Sequence, residues 1–334
     1  MNMLSKLTLW LPLFAIASFS QYIFVDHSAL ARSISYDSFS FESEAQDLYV
    51  KTFGDPKDSA VIFLHGGPGY NSANFESSTA MKLSKLGMFV IVYDRRGEGR
   101  STDNKSEFSF NQSNDDLVRI LNKFSIKKAC LIGHSFGGII ATSFAKNYPN
   151  RVSSIIYVGA PVSLQESFKQ IISRCKTIYI EKKDTINLAF LKMLESMDSS
   201  SIQYSSMCFR HALQNKFYSA STPTEEAKSI YSNFKADTSL FKFAGKMTID
   251  APQGFWKNEG YTTLDLTNDI RLLLNQGMRI YGLYGKEDGL YSAKQIEFLK
   301  SLIGADHLLY LDQCSHNVFM DRSDVFLTQV LRWK

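Results

Sequence analysis

Cys130-Leu131-Ile132-Gly133-His134-Ser135-Phe136-Gly137-Gly138-Ile139 is the stretch that decides the fold. A short apolar run ends in Gly-His-Ser-Phe-Gly, and a second apolar run with helical character follows. This is a G-x-S-x-G turn with a strand before it and a helix after it. Such a turn lifts a serine hydroxyl above the end of a sheet on strained backbone. Gly133 and Gly137 flank the serine because side chains there would collide across the turn. The helix that follows aims its free N–H groups, and the positive end of its dipole, at the same point.

Working outward, strands alternate with helices on both sides of this turn. Ile34 to Phe41 and Asp47 to Phe53 alternate polar and apolar residues, which predicts two half-buried antiparallel strands. Ala60 to Leu64 and Gly87 to Tyr93 are unbroken apolar runs, as expected of strands covered on both faces. Asn71 to Leu86 between them is helix or loop. Asn111 to Phe124 has the apolar spacing of an amphipathic helix. Asn150 to Tyr157 predicts a further strand. The alternation up to about residue 160 predicts an α/β fold, with a mostly parallel sheet and helices on both faces.

From 161 to 260 the alternation stops. Helical stretches rich in Ser, Lys, Phe and Tyr predict an inserted helical lid. Alternation resumes in the second part of the core, residues 261–334. There a helix is expected over Thr267 to Asn275, strands over Met278 to Tyr284 and His307 to Leu311, a helix over Ser292 to Leu302, and a closing helix over Val318 to Trp333. The core is thus expected at 32–160 and 261–334. Residues 1–31 stand apart. Lys6 precedes an apolar run from Leu7 to Ala17, the pattern of an export signal peptide, with an uncleaved N-terminal anchor as the alternative. The protein is accordingly expected to be secreted or periplasmic, or else membrane-anchored through that segment.

Composition narrows the function. A formal net charge of +4 over 334 residues, with no long Lys/Arg run, carries no nucleic-acid signature. The four cysteines (Cys130, Cys175, Cys208 and Cys314) have no metal-ligand spacing, so no metal or other cofactor is expected. Cys175 and Cys208 both fall in the lid and could pair in an exported protein.

Three loops at the ends of predicted parallel strands carry the chemistry. The first follows Leu64 and reads His65-Gly66-Gly67-Pro68-Gly69, a loop whose backbone can approach a ligand closely. The second, Gly285-Lys286-Glu287-Asp288-Gly289, offers an acid just past a strand end. The third, Asp312-Gln313-Cys314-Ser315-His316-Asn317, offers the histidine. The chain order Ser135, Asp288, His316 is that of an α/β-hydrolase. A serine hydroxyl needs a base, here His316, and the base needs an orienting acid, here Asp288, with Glu287 as the rival. Backbone N–H groups of Phe136 and of Gly67 (or Gly66) are placed to hold an oxyanion. Of the other histidines, His65 is expected to be structural, His307 to lie inside a strand, and His134 to point away from the site. Asp94-Arg95-Arg96-Gly97-Glu98-Gly99-Arg100-Ser101 is expected to pair its own charges and fix a loop.

These motifs, over about residues 45–160 and 265–334, make the chain resemble an α/β-hydrolase of the proline iminopeptidase group of serine peptidases. The resemblance rests on His65-Gly66-Gly67-Pro68-Gly69, on Asp94 to Ser101, and on the elbow, acid and histidine loops. It implies cleavage of an N-terminal residue, often proline, from a short peptide, with lid carboxylates gripping the free amine. Glu181, Glu195, Glu225 and Glu226 are the lid acids available. The elbow itself, with His134 and Phe136, is more similar to that of esterases in the same superfamily. The leading expectation is an aminopeptidase of the proline iminopeptidase type; the alternative, which an aromatic-rich lid supports, is a carboxylic-ester hydrolase acting on small or lipid-like esters. A binding protein without activity is the third possibility on this fold.

Overall fold

The computed structural model describes residues 38–40, 48–101 and 105–334. The segment expected to be a signal or anchor lies outside these residues. All the described residues belong to one unit, Tyr36–Lys334. Among the described residues, eight strands form one sheet. They are β1 (Ser38–Ser40), β2 (Tyr49–Phe53), β3 (Ser59–Leu64), β4 (Met88–Tyr93), β5 (Ala129–His134), β6 (Val152–Val158), β7 (Ile280–Gly285) and β8 (Leu308–Leu311). Their spatial order is β1-β2-β4-β3-β5-β6-β7-β8. The β1–β2 and β2–β4 pairs are antiparallel, and every other pair is parallel.

The central strands are largely apolar because both faces are covered. Along β3, Ile62 and Leu64 enter one core layer while Val61 and Phe63 enter the other. All four are fully buried. Burial of this kind stabilises by roughly 2 kcal/mol for each large side chain. Helices Phe110–Lys123 and Phe136–Asn147 supply the first layer, with Leu117, Ile120, Leu121, Ile140 and Phe144. The second layer is closed by the chain before β4 and by the C-terminal helices, through Phe75, Leu83, Phe319 and Phe326.

The parallel strands deliver their C-terminal loops to one edge. Between β6 and β7 the chain forms helices Leu164–Glu181, Thr185–Glu195, Ile202–Gln214, Glu225–Ala236, Thr238–Phe241 and Asp250–Glu259. No strand occurs there among the described residues; a single bridge, Ser163 with Asp265, closes its base.

Two local expectations, at His307 and in the closing helix, need correction. Over Asn71–Leu86 the structure has the helical alternative, from Ala73 to Lys85 with a wider π turn at Glu76–Ala80. That turn buries Glu76, which accepts hydrogen bonds from the Tyr49 hydroxyl, Lys51 and Arg100. His307 is not inside a strand. It ends the turn Ala305–His307 just before β8, with its ring against Tyr281. The closing helix is broken at Arg322 into Val318–Asp321 and Ser323–Trp333. Arg322 leaves helical dihedrals at φ −133° and ψ 58°, and the Asp321 side chain before it reaches back to the histidine loop.

Candidate active site

Ser135 follows β5 directly, at φ 51° and ψ −123°. A non-glycine residue in this region is strained and persists only where its surroundings hold it. Here the Ser135 N–H donates to the Val158 carbonyl at 3.0 Å, and the Gly138 N–H donates to the Ser135 carbonyl at 2.9 Å. The flanking glycines are steric necessities. A Cβ on Gly133 would lie 2.6 Å from the Gly138 Cα, and one on Gly137 would overlap the Leu64 carbonyl. The helix Phe136–Asn147 begins at the next residue, so the Phe136 amide belongs to its first turn, where N–H groups lack helical partners.

The loop His65–Gly69 lies against this turn: a Cβ on Gly66 would be 3.0 Å from Ser135 Cβ. Gly67 takes φ +120°, and the Gly67–Pro68 peptide is cis. The loop is fastened from below by the Asp94–Ser101 segment. Arg95 donates to the carbonyls of His65 and Gly66. Its ion pair with Glu98 is buried, and Glu98 accepts from the Gly69 N–H at 2.7 Å. The Arg95 amide donates to His65 Nε2 at 2.9 Å. Burial, reinforced by the Arg95 charge, holds His65 well below the usual histidine pKa, so it stays neutral and structural. Arg100 pairs with Asp94 at 2.7 Å, and Arg96 pairs with Asp116.

His316 and Asp288 meet directly. His316 Nδ1 donates to Asp288 Oδ2 at 2.8 Å, which leaves Nε2 as the unprotonated nitrogen of the neutral ring. Asp288 Oδ1 accepts from the Leu290 N–H at 3.0 Å. Both side chains are buried. A Cβ on Gly159 would sit 3.1 Å from His316 Nδ1, and Gly159 is the residue after Val158, which anchors Ser135. The structure thereby brings the serine turn, the glycine loop and the acid–histidine pair to one edge of the sheet.

Glu287 has a different task. Its Oε2 accepts from the Ser221 hydroxyl at 2.6 Å and its Oε1 from the Thr222 hydroxyl at 3.3 Å, tying the acid loop to the chain between the helices Ile202–Gln214 and Glu225–Ala236.

His134 does not point away from the site. Its ring centroid is 4.9 Å from that of His316, and its Nε2 is 3.3 Å from the His316 carbonyl oxygen. Its ring also packs edge-on against Phe319, so the histidine loop and the helix after it surround His134. Burial, and then the neighbouring His316, keep its pKa well below the usual value.

The four lid acids also need correction. Glu195 pairs with Lys176, Glu225 with Lys228 and Glu226 with Lys82, all on exposed surface, and Glu181 is exposed. Cys175 and Cys208 are buried free thiols.

Several supporting residues carry no motif of their own. Tyr218 sets its ring edge-on to His316 at 5.1 Å, and the Tyr291 hydroxyl donates to the Gly159 carbonyl at 2.7 Å. Burial, and secondarily the Asp288 carboxylate, push both phenols up, so they stay neutral. Asp321 accepts from the Ser315 N–H (2.7 Å) and hydroxyl (2.6 Å), and from the Tyr231 hydroxyl (2.9 Å). The only sequence signal for Asp321 is an acid six residues beyond Ser315 on the following helix.

A serine on an elbow, a glycine loop beside it and a histidine oriented by an acid define the class: a hydrolase on a mixed sheet. The chain belongs to the alpha/beta hydrolase fold family, whose model matches residues 59–323. It is similar to a proline iminopeptidase of Thermoplasma volcanium, 23% identical over 296 residues, covering 85% of this chain and 95% of that protein. It is also similar to a bifunctional esterase/perhydrolase of Acinetobacter calcoaceticus, 33% identical over 104 residues, or 31% of this chain and 37% of the relative's length. The crystal structure of a proline iminopeptidase-related protein from Thermus thermophilus shares the fold, with a TM-score of 0.65, 19% identity, and coverage of 90% of this chain and 97% of that one.

Proposed function

We propose that the chain is a serine hydrolase of carboxylic esters that works through an acyl-enzyme. Ser135 Oγ attacks the ester carbonyl as His316 Nε2 takes its proton. Asp288 holds the imidazole tautomer and stabilises the imidazolium. The Phe136 and Gly67 N–H groups receive the negative charge that develops on the carbonyl oxygen, a contribution of about 3 kcal/mol for each donor. His316 returns the proton to the departing alkoxide. Water, deprotonated by His316, then releases the acid and regenerates Ser135.

The observation that carries the ester over the amide is the commitment of the buried carboxylates. Glu76, Asp94, Glu98, Asp116, Asp288 and Asp321 are all held in ion pairs or hydrogen bonds with the protein. A substrate ammonium group needs an acid partner once it leaves water, and each of these buried acids already serves a partner within the protein. The surroundings of the elbow are aromatic instead: Phe255, Tyr261 and Phe110 pack on Phe136. That environment suits an apolar acyl chain.

A second reading, aminopeptidase action of the proline iminopeptidase type, is favoured by His65-Gly66-Gly67-Pro68-Gly69 and by the long alignment with such an enzyme. Purified protein should be offered nitrophenyl esters of increasing chain length beside prolyl, alanyl and leucyl nitroanilides. Ester turnover that is lost in Ser135→Ala is expected. Prolyl-anilide turnover that requires a free amine and exceeds ester turnover would overturn the ester proposal in favour of the peptidase.

A further inference from the structure

We propose that Arg95 is a positioning residue of the oxyanion hole, clamping two successive peptide units of the glycine loop so that their N–H groups face Ser135. The inference rests on the serine-hydrolase reading above and adds to it a residue that never touches substrate.

The argument begins with peptide planarity. The carbonyl of one residue and the N–H of the next lie in one plane and point in opposite directions, so fixing the oxygen fixes the hydrogen. Arg95 Nη1 donates to the His65 carbonyl, and its Nη2 donates to the Gly66 carbonyl at 2.7 Å. These two oxygens belong to the same peptide units as the Gly66 and Gly67 N–H groups, the two candidate donors from this loop. Glycine has almost no side-chain barrier to a peptide flip, and Gly67 already sits at φ +120°. His65 Nδ1 also donates to the Gly66 carbonyl at 2.8 Å, which leaves the His65 carbonyl as the oxygen whose side-chain hold comes from Arg95. Without these holds such a flip would turn an oxygen toward the site in place of a hydrogen.

The clamp is itself rigid. Arg95 Nε and Nη2 bind the two Glu98 oxygens at 3.0 and 2.9 Å, a bidentate pair with side-chain exposures of 3% and 0%. Glu98 in turn accepts from the Gly69 N–H at 2.7 Å, so the pair grips the loop near its start and at its end. The Arg95 guanidinium carbon also lies 5.3 Å from the centre of the Phe136 ring. Phe136 carries the other proposed donor. One buried cation thus touches the loop that supplies one donor and the side chain of the residue that supplies the other. Lysine, a single point charge, would lack the planar fork that reaches two carbonyls and a carboxylate together.

The test compares wild type with Arg95→Met, Arg95→Lys, the double variant Arg95→Met/Glu98→Gln, and Ser135→Ala. The double variant avoids stranding the Glu98 charge in the interior. Arg95→Lys, which keeps a charge opposite Glu98, carries the test should both neutral forms fail to fold. The probes are 4-nitrophenyl butyrate and its thionoester, whose sulfur fits poorly between oxyanion donors. For the folded Arg95 variants we expect kcat on the oxygen ester to fall about 100-fold, with KM within about twofold of wild type. We also expect the oxygen-over-sulfur preference to shrink and the pH midpoint of kcat/KM to stay in place. A folded Arg95 variant with the wild-type oxygen-over-sulfur preference overturns the proposal. Turnover that survives in Ser135→Ala overturns the serine-hydrolase reading instead, so the two failures are distinguishable.

Discussion

His134 packs against His316: its Nε2 is 3.3 Å from the His316 carbonyl oxygen, and the two ring centroids are 4.9 Å apart. His316 is proposed to become an imidazolium during each turnover. His134 is held neutral by burial and by the neighbouring His316.

A pH dependence of stability follows. The folded pKa of His134 is depressed, and His65 shares this property. The unfolded chain takes up protons near the ordinary value of 6.5 while the folded chain does not. The two groups therefore contribute stability that is present above about pH 6.5 and is lost as pH falls below it. Thermal midpoints measured between about pH 8 and pH 5.5 should decline with acidification. His134→Phe should show a shallower decline, whatever its starting midpoint. An equal slope in both proteins would contradict this account.

The neighbouring acids should separate cleanly. Asp288→Asn removes the acceptor that fixes the His316 tautomer, and kcat should fall by about 10³ to 10⁴ with the fold intact. Glu287→Gln weakens the attachment to Ser221 and Thr222. It should lose stability of about 1 kcal/mol and less than about tenfold in kcat. Steady-state kinetics on both variants, with circular dichroism to verify folding, decide the assignment.

Gly137→Ala is expected to be severe. The new Cβ would overlap the Leu64 carbonyl and lie 2.9 Å from the His65 oxygen. Backbone cannot yield there without moving both the elbow and the glycine loop, so a loss of about 3 kcal/mol or more is expected, with little soluble protein. Gly277→Ala is the control. Its φ is +81° but nothing lies within 4 Å, so only the backbone cost of about 1 kcal/mol applies. Denaturant midpoints compare the two.

The cysteines should be silent in the folded protein. Burial pushes Cys175 up to about 11 and Cys208 up to about 12. Thiolate is the reactive species, so a disulfide reagent should titrate almost no thiol in native protein and four after unfolding. A mobility change on reduction would reveal a Cys175–Cys208 bond and refute this expectation.

The elbow and its partners were legible in the sequence because each is a short motif tied to a strand end, and the ends of parallel strands meet in space. Ser135, Asp288 and His316 could therefore be placed from order alone, and the continuous apolar runs showed which strands lie inside. What could not be read depends on contacts between distant stretches. The direction of His134 is set by where the histidine loop passes, 182 residues later. The break at Arg322 accompanies the reach of Asp321 to Ser315, which no helical periodicity encodes. The lid acids looked equivalent in sequence because their pairing with Lys176, Lys228 and Lys82 is a matter of packing.

The acid loop has a consequence for how this architecture can be re-engineered. Asp288 stands between two attachments to the segment that joins β6 and β7: Glu287 binds Ser221, and the Gly289 N–H donates to the Phe217 carbonyl at 2.9 Å. Phe217 also fills the space that a side chain on Gly289 would need. The segment between β6 and β7 is therefore tied to the acid loop on both sides of Asp288. A chimaera that exchanges residues 161–260 would replace both tethers of its proposed acid, so such an exchange is expected to need a matched acid loop.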